Sequence, residues 1–193
     1  MSTKASTVKS KRDELIEVAS GLFYKQGYNC TGVQQIISEA GIAKGTFYSH
    51  FKSKEELGVA WLKNRHQYWL HRLFNYLADK KTPKSKIIGA FDWVESWMSE
   101  CDMRGCAFIN TLCETPDTAN PLRQEIISHK NELRAFFQSL VDEHFSDRSK
   151  KARTQIATTL YILLEGTILE TQLYRDSSMV EAARSQVKSI LQS

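Results

Sequence analysis

Residues 27–57 read GYNCTGVQQIISEAGIAKGTFYSHFKSKEEL, and this stretch decides the fold. Val33, Ile36, Ile37 and Ala40 make a short apolar stripe at helical spacing. Thr31 or Gly32 stands where the N-cap of that helix belongs, and Gly41 stands where a left-handed residue closes it. A second short helix is expected from Lys44 to Phe51, with Phe47 and Phe51 at i and i+4 on one side. Two short helices joined by a tight turn at Gly41 and Ile42 have the size of a helix-turn-helix. In such a pair the second helix enters the major groove, roughly 12 Å wide, so its outer face must carry polar groups. Phe47 and Phe51 keep the inner face here, leaving Lys44, Thr46, Tyr48, Ser49 and His50 to look outward. Lys44 and Lys54 can meet phosphates as point charges, and the hydroxyls of Thr31, Thr46 and Tyr48 can donate to phosphate oxygens.

Helical periodicity continues on both sides of this stretch. Upstream, Leu15, Ile16, Ala19, Leu22 and Phe23 share one face of a helix that should end near Gly27. Downstream, Ser53 and Glu56 form a capping box for a fourth helix running through Leu57, Trp61 and Tyr68 to about Leu77. Pro83, Pro116 and Pro121 mark breaks between apolar segments. They predict helices near 84–100, 104–114 and 121–144, with two more at about 149–175 and 178–191. No alternating strand pattern of convincing length occurs, so the fold is expected to be all-α with about nine helices.

Composition narrows the class. The 193 residues are 41% hydrophobic and 25% charged, ordinary for a globular protein. No apolar run approaches the roughly 20 residues of a membrane span. The polar, basic start is not a secretory signal and predicts a flexible arm over 1–10, so the chain is expected in the cytoplasm. Residues 1–81 carry 13 Lys and Arg against 7 Asp and Glu, whereas 82–193 carry 13 against 15. A basic front on a slightly acidic body suggests that only the front meets a polyanion, which argues against a DNA-packaging role. Cys30, Cys101, Cys106 and Cys113 form no close metal-finger pair and are expected as reduced thiols, each a small buried apolar side chain. His50, His66, His71, His129 and His144 lack the spacing of a metal site; His71 lies five after His66, not the four that two ligands on one helix face require. No phosphate-cradling glycine loop or nucleophile elbow is present. The chain reads as no enzyme, with no metal and no cofactor.

The residues Gly27-Tyr28, Thr31, Ala40-Gly41, Lys44-Gly45-Thr46, Tyr48, His50, Phe51 and Lys54-Glu55 together resemble the DNA-binding domain of the TetR family of bacterial repressors. The resemblance implies a helix-turn-helix DNA-binding domain over 11–53, with its recognition helix at about 44–51. It implies that Gln34, Lys44 and Thr46 approach bases, that Thr31, Tyr48, His50 and Lys54 hold phosphates, and that the backbone comes close at Gly45. Gly32 departs from the family's usual hydroxyl residue, which weakens that cap.

Farther on, Arg104-Gly105-Cys106-Ala107-Phe108-Ile109-Asn110 followed by Glu114, and Leu164-Glu165-Gly166, resemble segments of one branch of the family. This implies that 54–193 form an effector-binding and dimerisation domain with an unknown small-molecule effector. The partners implied are double-stranded operator DNA and a second copy of the chain, with no membrane. The expected effector pocket draws on Trp93, Trp97, Cys106, Phe108, Tyr161 and Leu164. Phe91, Trp93, Trp97 and Phe108 are more aromatics than a helix of this length needs, and suit an apolar cavity. Gly166 inside a helix costs up to about 1 kcal/mol against alanine, which close backbone approach at a dimer contact would compensate. Met179, Ala183, Val187, Ile190 and Leu191 form a stripe expected to face the partner subunit.

Two alternatives remain beside the reading of a repressor released by a small molecule. In one, the repressor senses oxidants or electrophiles through Cys106, which follows Gly105 near a helix N-terminus with Arg104 close by. Both features favour thiolate below the free pKa of about 8.5, with Cys101 and Cys113 as resolving thiols. In the other, the chain is a helical ligand-binding protein without DNA regulation, which would not need the outward Lys44, Thr46 and Tyr48.

Overall fold

The computed structural model describes residues 9–192, so the arm expected over 1–10 lies almost wholly outside them. Among the described residues there are nine helices and no strand. They are α1 (Lys11–Gln26), α2 (Val33–Glu39), α3 (Lys44–His50), α4 (Lys54–Leu77), α5 (Pro83–Glu100), α6 (Ala107–Glu114), α7 (Pro121–His144), α8 (Lys150–Tyr174) and α9 (Ser178–Ile190).

The helix ends have local causes. Ser10 accepts the Asp13 N–H at 3.1 Å to cap α1, and Asp13 and Glu14 place negative charge in its first turn. α1 stops at Gly27, whose φ of 98° suits glycine, and the turn after α2 passes through Gly41 at φ 61°. Thr82 and Ser85 form a reciprocal capping box around Pro83 at the start of α5. The cap of α4 is displaced by one residue: Ser53 Oγ accepts the Glu56 N–H at 3.1 Å, but Glu56 reaches back to the Lys52 N–H at 2.7 Å. Of the two candidates for the N-cap of α2 the fold takes Gly32, which makes no side-chain cap bond. One expectation is corrected. α6 begins at Ala107 rather than near 104, because Asp102, Met103 and Gly105 hold φ of 53°, 51° and 70°, which a right-handed helix excludes.

The chain divides into two compact units, and the division does not fall at the expected 53/54 boundary. The first takes in the described residues up to Arg65 together with Thr111–Glu125. Its core joins Leu15, Ala19 and Phe23 of α1 to Ile36 of α2, Phe47 of α3 and Leu57 and Trp61 of α4, all buried. Trp61 lies 5.0 Å from Phe23, so the start of α4 belongs with the helix-turn-helix that it packs against. Fully burying a side chain such as Phe47 stabilises by about 2–3 kcal/mol, and Phe47 and Phe51 are both wholly inaccessible.

The second unit comprises His66–Asn110 and the chain from Ile126 onward. α5 packs against α8 and α9, and α8 against α9. Ile87, Phe91, Val94 and Met98 of α5 are buried, as are Leu160, Leu164 and Ile168 of α8. Val180, Ala183, Val187 and Leu191 form the inner side of α9. Ala183 and Val187 therefore do not face a partner subunit, because their own chain covers that stripe.

Candidate nucleic-acid interface

α3 divides as its periodicity requires. Phe47 is fully buried and touches Phe51, at 6.3 Å between ring centres. On the other side Lys44, Gly45, Tyr48 and Ser49 are exposed, and Thr46 and His50 are half-buried. Ser49 spends its hydroxyl proton on the Thr46 carbonyl at 2.8 Å, which removes it as a free donor. Tyr48 stands edge-on to Phe47 at 5.1 Å, so the buried ring braces the exposed one. Gln34 is exposed on α2.

Thr31 departs from expectation. It is wholly buried, donating to the Gly27 carbonyl at 2.7 Å and accepting from the Gln26 side-chain amide at 3.1 Å. Its hydroxyl proton closes the α1–α2 turn instead of standing ready for a phosphate.

Lys54 is half-buried, with its ammonium 4.3 Å above the Tyr28 ring and donating to the Asn29 carbonyl at 3.5 Å. Burial pulls its pKa below the usual lysine value, and the charge of Glu114 with that of Cys30 offsets only part of the fall. Glu114 also binds the α1–α2 turn, where its carboxylate accepts the Asn29 backbone N–H. The sequence pattern singled out Glu114 but assigned it no role; its partner lies 85 residues away.

In the second unit the six expected pocket residues are all buried and fall into two clusters. Trp93 and Trp97 stack at 5.5 Å, and Trp69 meets both edge-on at 4.8 and 5.8 Å. Trp69 also meets His129, which stacks on Phe108 at 3.8 Å. The other cluster surrounds Lys130, whose ammonium lies 3.4 Å from Cys106 Sγ and 2.7 Å from a Glu165 oxygen, with the Tyr161 hydroxyl in its field. Leu164 is buried on the same helix. Burial works against the lysine charge, but Cys106, Glu165 and Tyr161 outweigh it and raise its pKa above the usual value. Lys130 is thus a cation beside Cys106 that sequence proximity, which pointed to Arg104, did not reveal. Of the four free cysteines Cys106 alone is buried; Cys30 and Cys113 are exposed, against expectation.

His129 is held neutral, its pKa pushed down to about 2 by burial and then by the charges of Lys130 and His66. Its Nδ1 shares a proton with His66 Nδ1 at 2.9 Å, and His66 Nε2 meets Glu132 at 2.9 Å. The sequence carried a signal for both missed residues. His129 and Lys130 lie at helical spacing from Leu122, Ile126, Leu133 and Phe137, on the apolar side of α7.

Of the residues expected at a dimer contact, Gly166 is exposed with open space where a side chain would stand, Met179 is exposed and Ile190 is half-buried. Among the described residues there is no cluster of three or more metal-ligating side chains, and no helix long and apolar enough to cross a membrane.

Two family models match the chain. One, described as bacterial regulatory proteins of the tetR family, covers residues 15–60, and the other, a tetracyclin repressor-like C-terminal domain, covers 83–187. The HTH-type transcriptional repressor DhaR of Mycobacterium sp. (strain GP1) is 26% identical over 168 residues, 86% of this chain and 84% of the relative. The HTH-type transcriptional repressor NemR of Escherichia coli (strain K12) is 23% identical over 188 residues, 93% of each. The crystal structure of a TetR-family transcriptional regulator from Streptomyces coelicolor superposes with a TM-score of 0.84 at 21% identity, over 94% of both chains.

Proposed function

The chain belongs to the tetR family of bacterial regulatory proteins, and from that premise we propose that it is a transcriptional repressor that grips operator DNA through α3 and is released by a small molecule bound in its C-terminal unit. The observation that carries this is the division of α3, with Phe47 locked inside and Lys44, Gly45, Thr46 and Tyr48 presented outward on a brace of buried aromatics. Lys44, Thr46 and Gln34 read base edges; Tyr48, His50 and Lys54 hold phosphates.

The active species is a homodimer, because two recognition helices must reach successive major grooves about 34–36 Å apart. Its contact is built on the exposed side of α8, where Gly166, Leu169 and Leu173 follow one another at i, i+3 and i+7, and on Met179. The effector acts through the Trp93, Trp97 and Phe108 cluster and the Lys130 site beside it. Work on chromosomal DNA places the protein in the cytoplasm, and it carries out no catalysis. The oxidant-sensing alternative has less support, because Cys106 is only 7% exposed and an electrophile must enter the fold to reach it.

The test is an operator titration across salt concentrations. Lys44→Ala is expected to bind more weakly, to change the preferred base and to lower the salt slope by about 1, while Tyr48→Phe weakens binding to all sequences alike. Wild-type affinity in both variants at matched salt overturns the assignment of α3.

A further inference from the structure

A cleft of about 430 Å³ opens between α7 and α8. Arg134, Gln138 and Thr158 form its polar side; Ala135, Ala157 and Ile162, with the Tyr161 ring, form an apolar side. That volume falls within the range of sites for small organic molecules, roughly 300–1,000 Å³.

The charge in the cleft is not balanced. Among the described residues Arg134 makes no ion pair; its guanidinium lies 4.8 Å over the Tyr161 ring and hydrogen-bonds the tyrosine. The neighbouring carboxylates are engaged elsewhere. Asp142 accepts from Arg153 at 2.6 Å and from the Gln138 amide at 3.1 Å, and Glu165 holds Lys130 at 2.7 Å. Arg134 therefore presents a planar fork of donors to an incoming group, next to a buried hydroxyl and above an apolar floor. A neutral molecule leaves that fork to water, whereas a carboxylate fits it with two parallel hydrogen bonds.

We propose that this cleft binds a small aromatic or branched carboxylate, its carboxylate on Arg134 and the Tyr161 hydroxyl and its apolar body against Ala135, Ala157 and Ile162. The cleft shares Tyr161 with the Lys130 cluster but lies apart from the tryptophan cluster, and the inference goes beyond the DNA-binding reading and does not rest on it.

Titration calorimetry on the full chain without DNA tests it, using benzoate, isovalerate and benzamide as probes. Benzoate or isovalerate is expected to bind once per chain, with benzamide about tenfold weaker or worse than benzoate. Arg134→Gln, at an exposed position, should melt as wild type does and lose the preference for acid over amide; Tyr161→Phe should weaken the acids several-fold. The proposal is overturned if acid and amide bind alike, if neither acid binds wild type, or if Arg134→Gln binds benzoate unchanged. It is equally overturned if Arg134→Gln alters only the oligomeric state, since Ile162 stands one turn from Gly166 and a second copy would then be the occupant.

Discussion

The Glu114 carboxylate accepts the backbone N–H of Asn29 at 2.6 Å, and the Asn29 side-chain amide donates to the Glu114 carbonyl at the same distance. The last residue of α6 thus holds the turn that carries the chain from α1 into the helix-turn-helix, beside the ammonium of Lys54. Glu114→Ala is expected to cost about 1 kcal/mol, the value of a partly exposed charged hydrogen bond, and to lower the melting temperature by about 2–4 °C. Glu114→Gln keeps an acceptor and should recover most of that loss. Thermal melts of the two variants check this, and equal losses would refute it.

Gly105 has φ of 70°, and a Cβ there would collide with the side-chain amide oxygen of Gln172. Gln172 in turn donates to Asn110, whose own amide closes on the Arg104 carbonyl at 2.9 Å. Gly105→Ala should therefore cost about 2 kcal/mol, from backbone strain and the displaced glutamine together. Combining it with Gln172→Ala removes the clash but not the strain, so urea unfolding should give a double-variant loss smaller than the sum of the singles.

Lys130 and Glu165 form an ion pair with side chains only 10% and 20% exposed. Glu165→Gln leaves the ammonium without its carboxylate and should cost about 3 kcal/mol, the lower end of the range for broken buried pairs. Replacing both, as Lys130→Met with Glu165→Leu, should restore most of the stability. A double variant no more stable than Glu165→Gln would show that the pair is not the source of the loss.

His129 gives acid sensitivity of a definite sign. The unfolded chain takes up a proton near pH 6.5, whereas the folded site does so only near 2. The contribution of neutral His129 is therefore complete above pH 6.5 and is lost progressively as pH falls from there toward 2. The loss reaches about 2 kcal/mol at pH 5, since each pH unit below 6.5 counts about 1.4 kcal/mol. Denaturant midpoints at pH 7, 6 and 5 should fall more steeply for wild type than for His129→Asn; parallel slopes would remove His129 from the explanation.

Leu169 and Leu173 are 54% and 65% exposed on the side of α8 that carries Gly166. Leu169→Glu together with Leu173→Glu should convert a dimer to monomers in light scattering at micromolar concentration while leaving helical content intact. A dimer that persists would move the contact to another surface.

Much of this fold is legible in the sequence. The 3.6-residue period marks which side chains share a face, so α3 could be divided between Phe47 and Phe51 inside and Lys44, Thr46 and Tyr48 outside. Proline and glycine act through the local backbone, so Pro83, Pro121, Gly27 and Gly41 marked helix ends to within a residue or two. What periodicity leaves open is which body covers an apolar face. The stripe of α9 was readable, but only packing decides that Val180, Ala183 and Val187 turn onto their own chain. Side-chain partners distant in sequence are decided in the same way. Lys130 finds Cys106 and Glu165 across 24 and 35 residues, and Glu114 finds Asn29 across 85, because helices that are independent in sequence are brought together by the shared burial of their apolar sides. Thr31 shows the same limit on a smaller scale: its hydroxyl suits a phosphate or a carbonyl equally well, and the closed turn at Gly27 gives it the carbonyl.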